Sequence, residues 1–234
     1  MSEIKVTLAR GRLPAYSRGQ IAVAAVAIAD REGIDAVSMR RVAAEIGTKA
    51  TSLYRYVRSK DELLALMVEQ VMADAGVPEA AGDWRERLRE IAYHTRAVLK
   101  RHPWLIMLSI RFSFGPSSLA LTEATLRVLD HHQLDADGML LIANVLATFT
   151  RGHAAQEFAE QLAEARSELD HDEWISGQGD VGEAIRADGR FPLFTRIIDD
   201  AKAPHDPDRS ERSFAEGLEY LLDGIGLRLE GRGA

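Results

Sequence analysis

The sequence predicts an all-α protein, on three observations. Apolar residues recur three and four positions apart along most of its 234 residues, the spacing of one helical face. Ser, Asp and Glu stand at capping positions ahead of these periodic stretches. Strand signals are nearly absent: there is no alternating β-branched run, no Asn-Gly hairpin and no repeat period.

Each element follows from its own residues. "SRGQIAVAAVAIADREG" opens with Ser17 and Gln20 at capping-box spacing, sets Ile21, Ala25 and Ile28 on one face, and ends at Gly33. A short helix is expected from about Met39 to Ile46 with Ser38 as its cap, and Gly47 ends it. A second short helix runs from about Ala50 to Val57. "SKDE" repeats the capping-box pattern with Ser59 and Glu62, and opens a longer helix to about Ala75. The stretch "GVPEAAGD" (76–83) breaks composition and is read as a domain boundary. Asp83 and Glu86 then cap a helix with Trp84, Leu88, Ile91 and Val98 on its inner side, stopped by His102-Pro103. Short helices near 104–112 and 117–132 and a long one over about 137–169 follow. Residues 170–190, acidic and glycine-rich, read as a mobile, partly helical connection, and 201–208 as a linker. The last helix, about 209–229, carries Phe214, Leu218, Leu221, Ile225 and Leu229 on one stripe.

The net charge of −7 hides an asymmetry. Residues 1–60 hold 11 Lys and Arg against 5 Asp and Glu, while the remaining 174 hold 18 against 31. A basic end on an acidic body is drawn to a polyanion at that end alone. Cysteine is absent, which excludes disulfides and thiolate metal sites. The first twenty residues lack the apolar core of a secretory signal, and no apolar run reaches the ~18 residues of a membrane span. A soluble, cytoplasmic protein is expected.

The window "SMRRVAAEIGTKATSLYRYVRSKDELL" (38–64) concentrates the basic character. Two short helices around a glycine turn make a helix-turn-helix, whose second helix fits a DNA major groove. Val42, Ala43, Ile46, Leu53 and Val57 are the positions that pack between the crossing helices, and Ala43 is small enough to let them approach. Lys49, Thr51, Ser52 and Arg55 then face outward, with Tyr54 and Tyr56 at the flanks. Cations and hydroxyls of this kind meet phosphates and base edges.

This window, and "GQIAVAAVAIADREGIDAVSMRRVAAEIG" upstream of it, resembles the DNA-binding domain of the tetracycline-repressor (TetR) family of transcriptional regulators, over roughly residues 17–72. "LYRYV" and "SKDELL" are close to the end of that family's recognition helix and the start of its fourth helix. "LKRHPWLIMLSI" and "FAEGLEYLLDGI" resemble its C-terminal domain more weakly. The resemblance implies that Tyr54, Tyr56 and Lys60 contact phosphates, that Thr51 and Ser52 face the groove, and that Arg40 reaches a base. Lys49 and Arg55 join this set on geometry. Thr48-Lys49 departs from the apolar residue and serine cap usual in the family at the start of the recognition helix.

The implied organisation is a flexible basic arm (1–16), a three-helix helix-turn-helix domain (17–62), a connecting helix (63–76), and a C-terminal helical bundle (83–234) for ligand binding and dimerisation. The long helix over 137–169 and the final helix have the length and stripes to pair two subunits. Between about 84 and 160, His94, Trp104, Met107, Phe112, Asn144, Thr148, Phe149 and His153 mix apolar surface with polar anchors, the usual make-up of a small-molecule pocket. Each aromatic among them fits a core position as well.

No metal or cofactor is expected. Glu168 and His171 have Glu-x-x-His spacing, but the paired helix that a di-metal bundle needs is missing, and His153–Glu157 and Glu90–His94 read as ion pairs or exposed groups. Neither a Walker loop nor a G-x-S-x-G elbow occurs. The expected function is a homodimeric, non-enzymatic transcriptional regulator, a repressor that binds a palindromic double-stranded operator and leaves it when a small-molecule effector binds. An all-α enzyme, or a helical module that uses its basic head on RNA or an acidic protein, stays open as an alternative.

Overall fold

The computed structural model describes residues 16–79, 81–108, 115–202 and 206–230. Those residues form twelve α-helices and no strand: α1 (Arg18–Glu32), α2 (Met39–Glu45), α3 (Ala50–Leu53), α4 (Lys60–Ala75), α5 (Trp84–Arg101), α6 (Trp104–Met107), α7 (Pro116–Leu129), α8 (Ala136–Ser167), α9 (His171–Ser176), α10 (Gly179–Asp188), α11 (Pro192–Asp200) and α12 (Arg209–Glu230). The chain divides into two compact units, one of residues 1–76 with 110–119, the other of the remainder. The arm expected over 1–16 lies outside the described residues except for Tyr16.

In the first unit, α1 packs on α4 and α2, and α2 on α3. The Ser17–Gln20 capping box forms in both directions, at 3.1 and 2.8 Å, and satisfies donors that a helix start otherwise leaves open. Ile21, Ala25 and Ile28 are fully buried, as are Val42, Leu63 and Met67, with Ala43 and Leu53 at 1% exposure. Each large aliphatic side chain so buried contributes about 1.5–3 kcal/mol. Gly47 takes φ 70, so the turn between α2 and α3 sits where a side chain would be strained. The "SKDE" pattern forms only half its box: Ser59 Oγ accepts from Glu62 N, but Glu62 Oε2 accepts from Arg58 N, one residue further out. The pull of Arg18 on the same carboxylate, at 2.7 Å, accompanies this shift. Glu69 of α4 accepts from the backbone N–H groups of Ser117 and Ser118, at 2.8 and 3.5 Å. A Cβ on Gly115 would stand 2.0 Å from that carboxylate, so the bare backbone is what admits it.

The core of the second unit joins α5, α7, α8 and α12. Leu88, Ile91, Leu129, Leu146, Phe214, Leu218 and Leu222 are buried in one cluster. Asp83 and Glu86 form the expected capping box at the start of α5. Phe214 stacks on Phe149 at 5.5 Å and meets Tyr93 edge-on at 5.0 Å. A Cβ on Gly217 would come within 3.0 Å of the Phe149 ring, so α12 approaches α8 closely because this residue has none.

A charged network is set into this core. Arg96 of α5, 4% exposed, binds Glu157 of α8, 7% exposed, through two nitrogens at 2.6 and 3.1 Å. The Arg96 guanidinium also lies 4.3 Å from the Phe214 ring centroid, and Ser210 donates to Glu157 at 2.5 Å. Burial alone would raise the Glu157 pKa, but hydrogen bonds from Arg96 and Ser210 bring it down to about 2. Burial lowers the pKa of His153, whose Nδ1 is 3.8 Å from Glu157, so the ring stays neutral near pH 7 and the Glu157 pair is with arginine.

The segment expected as a mobile connection is more regular than its composition suggested. Asp170 and Glu173 form a complete capping box on α9, and α10 follows at Gly179. α11 was not expected from sequence; Pro192 opens it, and Arg186 on α10 binds Asp199 on α11 at 2.9 Å.

Replacing Glu157 by Gln removes the buried partner of Arg96, leaves it only the pair with Glu211, and is expected to cost about 3 kcal/mol at pH 7. The carboxyl titrates at 4.5 when free and about 2 when folded, so its contribution is complete above 4.5 and lost as pH falls toward 2. Denaturant unfolding across that range should show the wild-type advantage over Glu157→Gln narrowing with acid.

Candidate nucleic-acid interface

Cations on the first unit fall into two sets. One set is committed internally: Arg41 binds Glu32 at 2.8 Å and Glu45 at 2.7 Å, and Arg31 binds Glu32 at 2.7 Å. The Arg41 hydrogen bond, and then that of Arg31, holds the Glu32 carboxyl below its usual range. Arg18 binds Glu62 and also donates to the Tyr56 carbonyl at 2.6 Å, which ties the end of the α3 segment to α1. The side chains of the other set make no hydrogen bond or ion pair to any described residue: Arg40, Lys49, Arg55, Arg58 (whose amide alone binds Glu62) and Lys60, all exposed.

Lys49 and Arg55 flank α3 directly, while Arg40 lies on α2 and Arg58 and Lys60 lead into α4. Leu53 and Val57 face inward, which turns Thr51, Tyr54 and Arg55 to solvent; Tyr54 is 52% exposed. Ser52 and Tyr56 are half-buried. The helix is shorter than the expected Ala50–Val57, because after Leu53 the chain tightens: Arg55 N bonds to Ser52 O and Tyr56 N to Leu53 O. Lys49 occupies the N-cap with no side-chain cap bond, so the departure at Thr48-Lys49 leaves the start of α3 without the hydroxyl that usually holds such a start. Of the eight expected DNA-contact residues, six lie between Lys49 and Tyr56, Arg40 is on α2 and Lys60 opens α4; six are exposed and two half-buried. The supporting roles of Arg18 and Arg41 were missed from sequence. Arg41 and Glu45, four residues apart on a helix, carried a readable signal; Arg18 and Tyr56, 38 residues apart, carried none.

In the second unit, the residues read as a pocket separate by environment. Phe149 and His153 gather on Phe214, at 5.5 and 5.1 Å, and Trp104 is buried. His94 is half-buried, Met107 is 66% exposed, and Asn144 and Thr148 are exposed. Phe112 lies outside the described residues. Where α6 meets α8, Arg151 Nη2 donates to the carbonyls of Leu105, Ile106 and Leu108, at 2.9, 2.7 and 2.8 Å. A separate cleft of about 230 Å³ opens at the far end of α8, lined by residues that include Leu169, His171 and Trp174 and by none of the expected pocket residues.

A helical head whose helix-turn-helix presents α3 to solvent, with exposed cations nearby and hydroxyls upon it, defines a helix-turn-helix DNA-binding regulator. The chain belongs to the TetR family: residues 21–67 match the model of the tetR family of bacterial regulatory proteins, and residues 77–229 that of the tetracyclin repressor-like C-terminal domain. It is 36% identical over 219 residues to the HTH-type transcriptional repressor DrrR1 of Streptomyces coeruleorubidus, covering 92% of this chain and 79% of that protein. A regulator of Saccharopolyspora erythraea is 29% identical over 91% of this chain and 85% of its own length. Among solved structures, ActR of Streptomyces coelicolor in complex with actinorhodin superposes with a TM-score of 0.74 at 27% identity, covering 91% of this chain and 96% of that one. No helix among the described residues is long and apolar enough to cross a membrane.

Arg18→Ala should free the end of the α3 segment. Amide exchange at Tyr54 to Val57 is expected to speed up by an order of magnitude or so while the thermal midpoint hardly moves, since the lost pair is largely solvent-exposed.

Proposed function

We propose that this chain is a homodimeric repressor that binds a palindromic operator through two α3 segments and leaves it when a small molecule occupies the second unit. The observation that carries the DNA role is the set of exposed cations between Arg40 and Lys60 whose side chains have no partner among the described residues, beside three arginines that are committed to carboxylates. Lys60, Tyr54 and Tyr56 take phosphates; Lys49 and Arg55 add charge at the groove edge; Thr51 and Ser52 face the bases. Arg40 reads one base pair, since a guanidinium can bond a guanine edge twice, worth ~1–3 kcal/mol of discrimination.

Dimerisation is supported by apolar side chains left uncovered on the two longest helices. Leu141 and Val145 of α8 are 60% and 39% exposed, and Tyr220 and Leu227 of α12 are each 74% exposed. Such stripes on a single chain mark a protein–protein surface. A two-fold pair then reads half-sites one helical turn apart. The effector role is supported by ActR, solved in complex with actinorhodin and with (S)-DNPA. An effector shifts the head only as far as its affinities for the bound and released states differ.

Operator titrations by gel shift test the DNA reading. Lys60→Ala should weaken binding on every operator variant alike and reduce the log–log salt slope by about one. Arg40→Ala should instead relax preference at one base pair per half-site. A uniform loss from Arg40→Ala, or an affinity indifferent to salt, would remove these assignments. For assembly, Leu141→Glu combined with Leu227→Glu should give a monomer in sedimentation equilibrium, with operator affinity falling at least ~100-fold as the second half-site contact is lost.

A further inference from the structure

Half-buried arginines of the second unit are, for the most part, neutralised. Arg85 and Arg89 share Glu219, Arg96 has Glu157 and Glu211, and Arg209 has Glu160. Two lack a carboxylate partner among the described residues: Arg87, whose Nε is buried with no hydrogen-bond partner, and Arg151. Arg151 is half-buried in the middle of α8 and is the one whose guanidinium is held by neighbouring carbonyls. Nη2 alone satisfies its three carbonyl contacts, all at the end of α6, which favours a cation without cancelling its charge. Nε and Nη1 have no hydrogen bond to any described residue. Burial accordingly lowers its pKa, with no opposing carboxylate.

The geometry points to Arg151 as the counter-charge for an acidic effector, one carrying a carboxylate, sulfonate or phenolate on an apolar frame. Holding one nitrogen on α6 fixes the guanidinium plane, so the remaining donors are set in advance for an anion and little side-chain freedom is left to lose. Met107 lies between two of the residues whose carbonyls hold Arg151, and its 66% exposure marks apolar surface open beside the charge. A neutral ligand would gain the apolar surface and forgo the charge; an acid gains both. The assignment names the chemical class of effector for the site and rests on the ligand-responsive reading above.

Two fluorescent probes with the same ring frame isolate the charge: 8-anilinonaphthalene-1-sulfonate and its uncharged parent, N-phenyl-1-naphthylamine. Titrated into the full chain, the sulfonate should bind more tightly, and Arg151→Met should reduce that preference by at least ~10-fold while the neutral probe binds as before. Arg151→Lys, which keeps the charge, should retain part of the preference. If Arg151→Met leaves the preference intact, or weakens both probes equally, the residue serves only to anchor α6 and the inference falls. Should Arg151→Met not fold, the Nε–H resonance of Arg151, assigned by its absence in Arg151→Lys, decides the matter in wild-type protein. It should shift with the sulfonate and stay in place with the parent; equal or absent shifts overturn the proposal. Gel shifts without any probe keep the two readings apart, because failure to bind duplex DNA would count against the regulator and not against the anion site.

Discussion

A four-residue helix has no stability of its own in water, and α3 holds its shape only because Leu53 and Val57 are buried at 1% and 0% exposure. Everything the head offers to a polyanion depends on that anchorage. With the two aliphatic side chains inward, Thr51 and the intervening Tyr54 and Arg55 are turned outward. The tie from Arg18 to the Tyr56 carbonyl adds a second fixed point at the end of the segment, where regular helical bonding has given out. The first unit is thus a device for holding about one turn of backbone still, and its carboxylates serve that end. Glu32, Glu45 and Glu62 each take an arginine that would otherwise compete with Arg40, Lys49, Arg55 and Lys60 for the same anionic surface.

The second unit uses charge differently. Arg96 and Glu157 are almost wholly removed from water, and their attraction is repaid only with the help of Ser210, Glu211 and the Phe214 ring. An apolar pair of the same size would pack as well. What the ion pair adds is direction: Arg96 links α5 to Glu157 on α8 and Glu211 on α12, which fixes the rotation of three helices about one another. Arg151 stands against this background as a cation whose neighbours among the described residues supply dipoles and no opposite charge.

Legibility in the sequence followed the range of the interaction. Helix starts governed by residues three apart were readable, as at Ser17–Gln20 and Asp83–Glu86. Where a distant group intervened, reading failed in part: Glu62 has the spacing for a box with Ser59, yet Arg18 claims one side of its carboxylate and the Arg58 amide the other. The α9 start was missed although Asp170 and Glu173 carry the same three-residue signal, because glycine and acidic composition outweighed it. α11 escaped notice within a stretch with no polar cap at its start. The outward face of α3 was legible from the burial pattern of Leu53 and Val57 together with a family resemblance. The hold of Arg151 on α6, bridging more than 40 residues, leaves no trace in spacing.

The closeness of α12 to α8 at Gly217 has an effect outside the core. Each helix carries an uncovered stripe beside this contact, Leu141 and Val145 on one, Tyr220 and Leu227 on the other. Since rigid rods displaced at one face move at both, the absent methyl at Gly217 against Phe149 also gauges the width of the outer ridge. An interior atom that the chain does without therefore helps to shape the ridge that the proposed second subunit would meet.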